Sequence, residues 1–308
     1  APTDENSQEN GRIPLGLTDI PSHTIFLRSP PSELFHYTSL DGAHGIIESK
    51  SIRLTKVAYL NDRSELAFAI RLFRSAVDRL SSGVHSTDRK SLLADVAHKL
   101  SSFEQTNICV ASFCEERDLL SQWRSYGSSG KGVALGFFGT VLSQISSTGW
   151  ANFFCCVYDP ADQIKIVEDL VETLLKAYDT AISGGSSDAT DRIRNNIIGY
   201  FSTLFLRVAP VLKDRCFSEE KEWRIVTAPR QTTDHKFKAI VSGSRVSQYY
   251  VHEFTPDRAG VYNFLSSVVV GPTQEPQLIG GAISTLCMRQ NVQLTHIHYS
   301  QIPYRGAY

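Results

Sequence analysis

Apolar positions recur at two different spacings along this chain, and the alternation between those spacings predicts most of its elements. Leu66, Ile70, Phe73, Val77 and Leu80 return every three or four residues, the period of a helix with one buried face, and Asn61 and Asp62 stand where its N-cap belongs. Leu92, Val96, Leu100 and Phe103 repeat that period over 88–103. Two longer amphipathic helices are expected over 164–182 and 191–212, divided by Ser183-Gly184-Gly185-Ser186-Ser187. A last helix is expected over 277–288. The other spacing is that of strands. Segments 34–38, 52–55, 107–113, 132–137, 150–158, 224–227, 237–241, 247–254, 267–270 and 292–298 read as extended, and a short helix from Asp41 to Glu48, capped by Asp41, follows the first of them. No repeat or low-complexity tract interrupts the pattern. The expected architecture is a flexible tail over 1–28 and one α+β domain over 29–308, with a helical insertion near 160–212.

Composition changes this picture little. The chain has 308 residues, enough to bury a full core, and its net charge of −1 gives no global attraction to nucleic acid or to anionic membranes. No apolar run approaches the roughly 20 residues of a membrane span, and no signal-type stretch follows the start. Six cysteines contain no Cys-x-x-Cys pair, which suits a reduced, cytoplasmic setting and argues against structural zinc. Cys155 and Cys156, as neighbours on a strand, are expected to face opposite sides.

Chemistry gathers in a few islands. His36, on a strand end just before a helix, shares a face with Leu34 and Thr38 and lies opposite Tyr37; it suits either a ligand rim or a structural role in a turn. Glu220 and Glu222 are two apart, which on a strand puts both carboxylates on one face. Such a pair is costly unless a cation or a proton is shared, and it fits either glycosidic-bond chemistry or a solvated acidic turn. In the segment Asp118 to Tyr126, Trp123 and Tyr126 could stack on a flat heterocycle and Arg124 could meet a phosphate. Equally, Trp123 could be core and Arg124 a partner for Glu222. Gly127-Ser128-Ser129-Gly130-Lys131-Gly132 lacks the spacing of a phosphate loop and reads as a turn. His296-x-His298 offers two metal ligands without a third, and Cys114 with His36 makes a nucleophile and base without an oxyanion hole.

Taken together, FHYTSLDGAHGIIESKSIRLT, YLNDRSEL, SFCEERDLLSQWRSYG, GVALGF, FSEEKEWRIV and VVVGP resemble the bacterial domain-of-unknown-function family twenty-nine seventy-one from about Leu34 to Pro272. A more distant likeness is to the ADP-ribosyltransferase superfamily. It rests on the His-x-Thr-Ser opening, the Ser112-Phe113-Cys114 segment and the late Glu-x-Glu of Glu220 and Glu222. That resemblance implies a split, mixed β-sheet core with flanking helices. It also implies NAD as substrate, cleaved at the nicotinamide–ribose bond, with ADP-ribose passed to an unknown acceptor (protein, nucleic acid or small molecule) or to water.

By the same resemblance His36 would contact the ribose, Tyr37 and Thr38 would lie beside the nicotinamide, and Ser112 would stand for the middle strand's hydroxyl. Glu222 would stabilise the ribosyl cation, and Glu220 would orient the acceptor. Tyr59 would suit the superfamily's alternative, Tyr-bearing class. Replacing Glu222 by Ala or Gln is then expected to abolish turnover and leave the fold intact. A cytoplasmic toxin, effector or defence enzyme with no membrane partner fits this reading. The rivals are a non-catalytic nucleotide- or protein-binding module on the same fold, and a nucleic-acid modifier or nuclease acting through a local basic groove.

Overall fold

The computed structural model describes residues 28–60, 64–81, 86–101, 106–127, 131–183, 187–242 and 245–303. The first strand, β1 (Glu33–Thr38), runs into α1 (Leu40–Ser49) through a tight cap. Ser39 Oγ accepts from the Gly42 N–H at 3.0 Å, so Ser39, not Asp41, caps the helix. Lys50, left-handed at φ 50°, closes α1 and starts β2 (Ser51–Lys56). Then follow α2 (Ser64–Ser81), α3 (Thr87–Ser101), β3 (Cys109–Cys114), α4 (Leu120–Ser125) and β4 (Val133–Phe138). The N-cap assigned to Asn61 and Asp62, and Phe103 at the end of α3, lie outside the described residues.

Next come α5 (Gly139–Ser147), β5 (Ala151–Cys155), α6 (Pro160–Ile182) and α7 (Ser187–Val208). The periodicity argument missed α5 because it is short and rich in serine and threonine. It also began α6 four residues late: Asp159 accepts from the Ala161 and Asp162 N–H groups, and Pro160 occupies the first turn, where its missing N–H costs nothing. The chain ends with β6 (Glu222–Thr227), β7 (Phe237–Ser242), β8 (Arg245–Glu253), β9 (Leu265–Val270), α8 (Pro276–Arg289) and β10 (His296–Tyr299).

Ten strands form one mixed sheet. Eight follow the order β10-β9-β4-β1-β3-β2-β8-β7, and among the strands of the described residues only β10 and β9 pair in parallel. Strand β3 is the branch point. One of its edges is taken along its length by β6, with β5 beyond. Its other edge is shared: Cys114 pairs with Phe35 of β1, while Val110 and Cys109 pair with Thr55 and Lys56 of β2. β1 and β2 therefore diverge from β3 in a fork, with Ser112 at its centre.

Helices cover both faces. On one face α2, α3, α6 and α7 form a layer whose buried Phe73, Leu92, Val96, Leu170, Phe201 and Phe205 meet Val110, Phe154 and Val226 of the sheet. On the other, α1, α5 and α8 bury Ile47, Leu142 and Ile283 against Phe113, Phe137, Ile225 and Val268. Each of these large apolar side chains contributes about 1.5–3 kcal/mol by leaving water. Helices α6 and α7, the region expected as a helical insertion, share this core with α2 and α3. Cys155 and Cys156 do face opposite sides, one in each core, and all six cysteines are free of disulfides.

Candidate functional site

The fork opens a pocket on the side of the sheet that carries α2 and α6. Ladder register explains what lines it. Ser112 stands opposite Arg224 and Cys114 opposite Glu222, so all four side chains share one face of β3 and β6, and Trp223 and Ile225 enter the core on the other. Arg53 and Thr55 of β2, Tyr37 of β1, Gln122 and Tyr126 beside α4, and Glu220 complete the walls. The space is about 180 Å³, small against the roughly 300–1,000 Å³ of a drug-sized ligand pocket.

His36 sits within the fork. Its ladder partner is Leu135, which turns its ring toward Phe113 at 5.8 Å between centroids, and its Nδ1 lies 2.9 Å from the Ser112 carbonyl oxygen. The imidazole thus bridges β1 and β3 at the point where backbone pairing has stopped. Burial lowers its pKa against the opposing effect of that bond, which keeps the ring neutral with the proton on Nδ1. Cys114 is not its nucleophile. The Cys114 side chain lies on the pocket face, its Sγ accepts from the Glu116 N–H at 3.2 Å, and burial pushes its thiol up to about 12.

The acidic pair is built differently from the strand expectation. Residues Arg215–Glu220 form a 3₁₀ turn, Lys221 takes a left-handed conformation at φ 41°, and only Glu222 belongs to β6. The two carboxylates nevertheless converge, because Lys213 lies between them. Its Nζ donates to Glu220 Oε2 at 2.5 Å and to Glu222 Oε2 at 2.6 Å. Arg224 closes the other side: Nε donates to Glu222 Oε1 at 2.7 Å, and Nη1 and Nη2 fork onto Glu65 at 2.6 and 3.0 Å. Tyr158 Oη accepts from the Glu222 N–H at 3.0 Å.

This cluster holds three carboxylates and two cations. Burial opposes the Glu222 charge, but Arg224 and Lys213 outweigh it and hold the carboxyl at about 2. Burial likewise opposes the charge on Lys213, and Glu222 more than restores it. Glu220 responds in the other direction, raised from its ordinary value because desolvation exceeds the pull of Lys213. Neighbours two residues apart thus have opposite shifts, as in sites where two carboxyls divide acid and base roles. The solvated acidic turn is excluded for Glu222, which is 6% exposed. Its burial bears on the expectation that Glu222→Ala leaves the fold intact, since that change opens a buried gap and takes one carboxylate partner from each of Lys213 and Arg224, which keep Glu65 and, for Lys213, Glu220.

His36, Tyr37, Ser112, Tyr126, Glu220 and Glu222 all border the pocket, while Thr38, Trp123 and Arg124 do not. Tyr37 is itself buried, its hydroxyl donating to the Glu116 carbonyl at 2.7 Å and accepting from the Leu119 N–H at 3.0 Å, so it is wall rather than stacking platform. Trp123 has no exposed surface; its ring edge meets Tyr37 at 4.7 Å and its Nε1 donates to Asp118 at 2.7 Å. It is a core residue. Tyr126, 42% exposed, lines the pocket, and Tyr59 stands on an exposed turn outside it. Glu222 is partnered by Arg224, two residues on, rather than by Arg124.

Comparison with known proteins adds one result. Residues 122–225 match the model of a family described as Protein of unknown function (DUF2971). The match spans α4 to β6 and so includes Tyr126, Lys213, Glu220 and Glu222 but not His36 or Ser112; it is shorter than the Leu34–Pro272 resemblance. No curated protein and no solved structure matches the chain.

The residues that sequence reasoning missed are Lys213, Glu65 and Arg53, and Arg224 was quoted in the acidic island without a role. Lys213 carried a readable signal, since it follows the apolar run Val208-Ala209-Pro210-Val211-Leu212 and a lysine there enters the core only with a partner. Glu65 and Arg53 carried none. No group of three or more His, Cys, Asp or Glu side chains among the described residues is placed to hold a metal ion, and His296 and His298 lie on an edge strand with ring centroids 6.0 Å apart. No helix among the described residues is long and apolar enough to cross a membrane.

Proposed function

We propose that the fork binds the nicotinamide–ribose end of NAD and cleaves the bond between them, passing ADP-ribose to an acceptor or to water. The observation that carries this reading is the convergence of His36, Ser112, Glu220 and Glu222, from three separate sequence islands, on a single pocket. Its size suits a pyridine ring with one ribose. Its floor suits the chemistry: three carboxylates against two cations leave net negative charge where a ribosyl cation would form.

As the glycosidic bond lengthens, its electron pair leaves with the nicotinamide nitrogen and the ribose carbon becomes cationic. Glu222, fixed and ionised, stabilises that charge through its field. Glu220, with its raised pKa, takes the proton of the attacking hydroxyl or water as the new bond forms. Neutral His36 holds β1 to β3, so the fork keeps its width, and Tyr126 supplies the face for the ring.

The test is release of free nicotinamide from NAD by the wild type, Glu220→Gln and Glu222→Gln, with cell lysate as acceptor source. Release by the wild type that falls at least about 100-fold in both variants supports the reading. Absence of release from the wild type overturns it.

A second reading has its own observation. Arg224 and Lys213 engage three of the roughly four lone-pair sites of the Glu222 carboxylate, two on Oε2 and one on Oε1, which leaves a single site on Oε1 for a ligand. A binding module that recognises a nucleotide without cleaving it fits so heavily committed a carboxylate. Calorimetric binding of NAD without nicotinamide release would favour it.

A further inference from the structure

The pocket is bipolar. Its carboxylate floor lies on the β6 side of β3, and Arg53 lines the pocket on the β2 side. The two are separated by β3 and so by two strand spacings, about 10 Å or more. Arg53 packs over the Tyr249 ring with 4.9 Å from its Cζ to the centroid, which fixes the direction of an otherwise flexible exposed side chain. Among the described residues it has no carboxylate partner, whereas Arg224 and Lys213, which hold the carboxylates of the floor, are committed to them. The pocket therefore has one anionic end and one positioned cation whose hydrogen-bonding edge is available to a ligand.

We propose that Arg53 recognises a phosphate of the ligand, with Tyr249 as the platform that aims it. The inference rests on the nucleotide-binding reading above and deepens it. The preferred ligand fragment carries a cationic or electron-poor ring toward the carboxylates and against Tyr126, a ribose across the middle of the pocket and an anionic phosphate at the β2 wall. A pyridinium ribose phosphate has that charge order and that length. The same pyridinium riboside without its phosphate would satisfy the floor and leave Arg53 without a partner. In the full dinucleotide the phosphate at Arg53 is the one nearer the reacting ribose, and the remaining half extends past the mouth, as the small volume of the pocket requires.

The experiment is calorimetric titration of the full chain with nicotinamide mononucleotide, nicotinamide riboside and adenosine monophosphate, for the wild type, Arg53→Gln and Arg53→Lys. Arg53 is exposed, so neither variant threatens the fold. The wild type is expected to prefer the mononucleotide to the riboside by about 10- to 100-fold, the range of a charge-assisted bond to phosphate. Arg53→Gln should reduce that ratio to near one with riboside affinity unchanged, and Arg53→Lys should keep part of it. Retention of the full preference in Arg53→Gln overturns the role of Arg53. Equal binding of adenosine and nicotinamide mononucleotides, both lost in Arg53→Gln, sustains the role and overturns the pyridinium assignment. Binding of none of the three by the wild type overturns both.

Discussion

Lys213 and Glu222 are joined by a buried hydrogen bond of 2.6 Å, Nζ to Oε2, and the same ammonium holds Glu220 at 2.5 Å. This relationship turns two adjacent carboxylates into a pair. Without the lysine, mutual repulsion and desolvation would drive them apart or protonate one of them. With it, Glu222 is locked ionised and Glu220 is left as the member able to exchange a proton.

Lys213→Met is expected to destabilise the protein by about 3–5 kcal/mol, because it removes the counterion of buried carboxylates and offers an apolar chain in its place. Glu222→Ala should cost a similar amount, and Glu222→Gln less, since the amide oxygen still accepts from Arg224 or Lys213. Urea unfolding midpoints at neutral pH decide this. Equal stability of Lys213→Met and wild type would mean that the cluster is open to water in solution.

Acid should weaken the fold through Glu222. Its carboxyl is depressed from the ordinary 4.5 to about 2 by Arg224 and Lys213, so the folded state binds fewer protons than the unfolded chain between those values. The stabilisation is fully present above pH 4.5 and is lost as pH falls toward 2. Comparing wild type with Glu222→Gln across that window should show a steeper loss in the wild type; parallel curves would contradict the assignment.

A second pH window belongs to two histidines. Burial lowers His36 below its ordinary 6.5, and it lowers His252, stacked on Trp150 at 5.1 Å, to about 4. Both are neutral when folded and take up protons when unfolded, so stability should fall as pH drops below 6.5. Replacing His252 by Phe is expected to flatten the decline between 6.5 and 4. Nuclear magnetic resonance titration of the ring protons would show directly whether either histidine titrates at its ordinary pKa.

Two aromatics of the same segment should separate stability from binding. Trp123→Ala opens a cavity in the small core formed with Tyr37, Phe35 and Val269 and removes one of the hydrogen bonds to Asp118, which predicts a loss of about 3–5 kcal/mol. Tyr126→Ala, at an exposed position on the pocket wall, should change the unfolding midpoint little and weaken nucleotide binding by about 10-fold. The opposite assignment of effects would mean that α4 packs differently in solution.

Local pattern determined a great deal of this protein. The long helices, the strand set and the burial of one helical face follow from apolar spacing in contiguous residues, which is why α2, α3 and α7 were legible. So were the opposed faces of Cys155 and Cys156. The acidic pair and His36 were legible as chemistry because their residue types are costly to place without a partner. What the tertiary structure decided is which partners they have. Lys213 reaches Glu220 and Glu222 only because the chain after α7 returns beside the start of β6, and Arg224 meets Glu65, 159 residues away in sequence, across the packing of α2 on the sheet. Spacing along a chain fixes which side of an element a residue faces. It carries no information on what another element brings to that side, and it was this that made Trp123 core, Tyr126 wall and the fork of β1 and β2 a pocket.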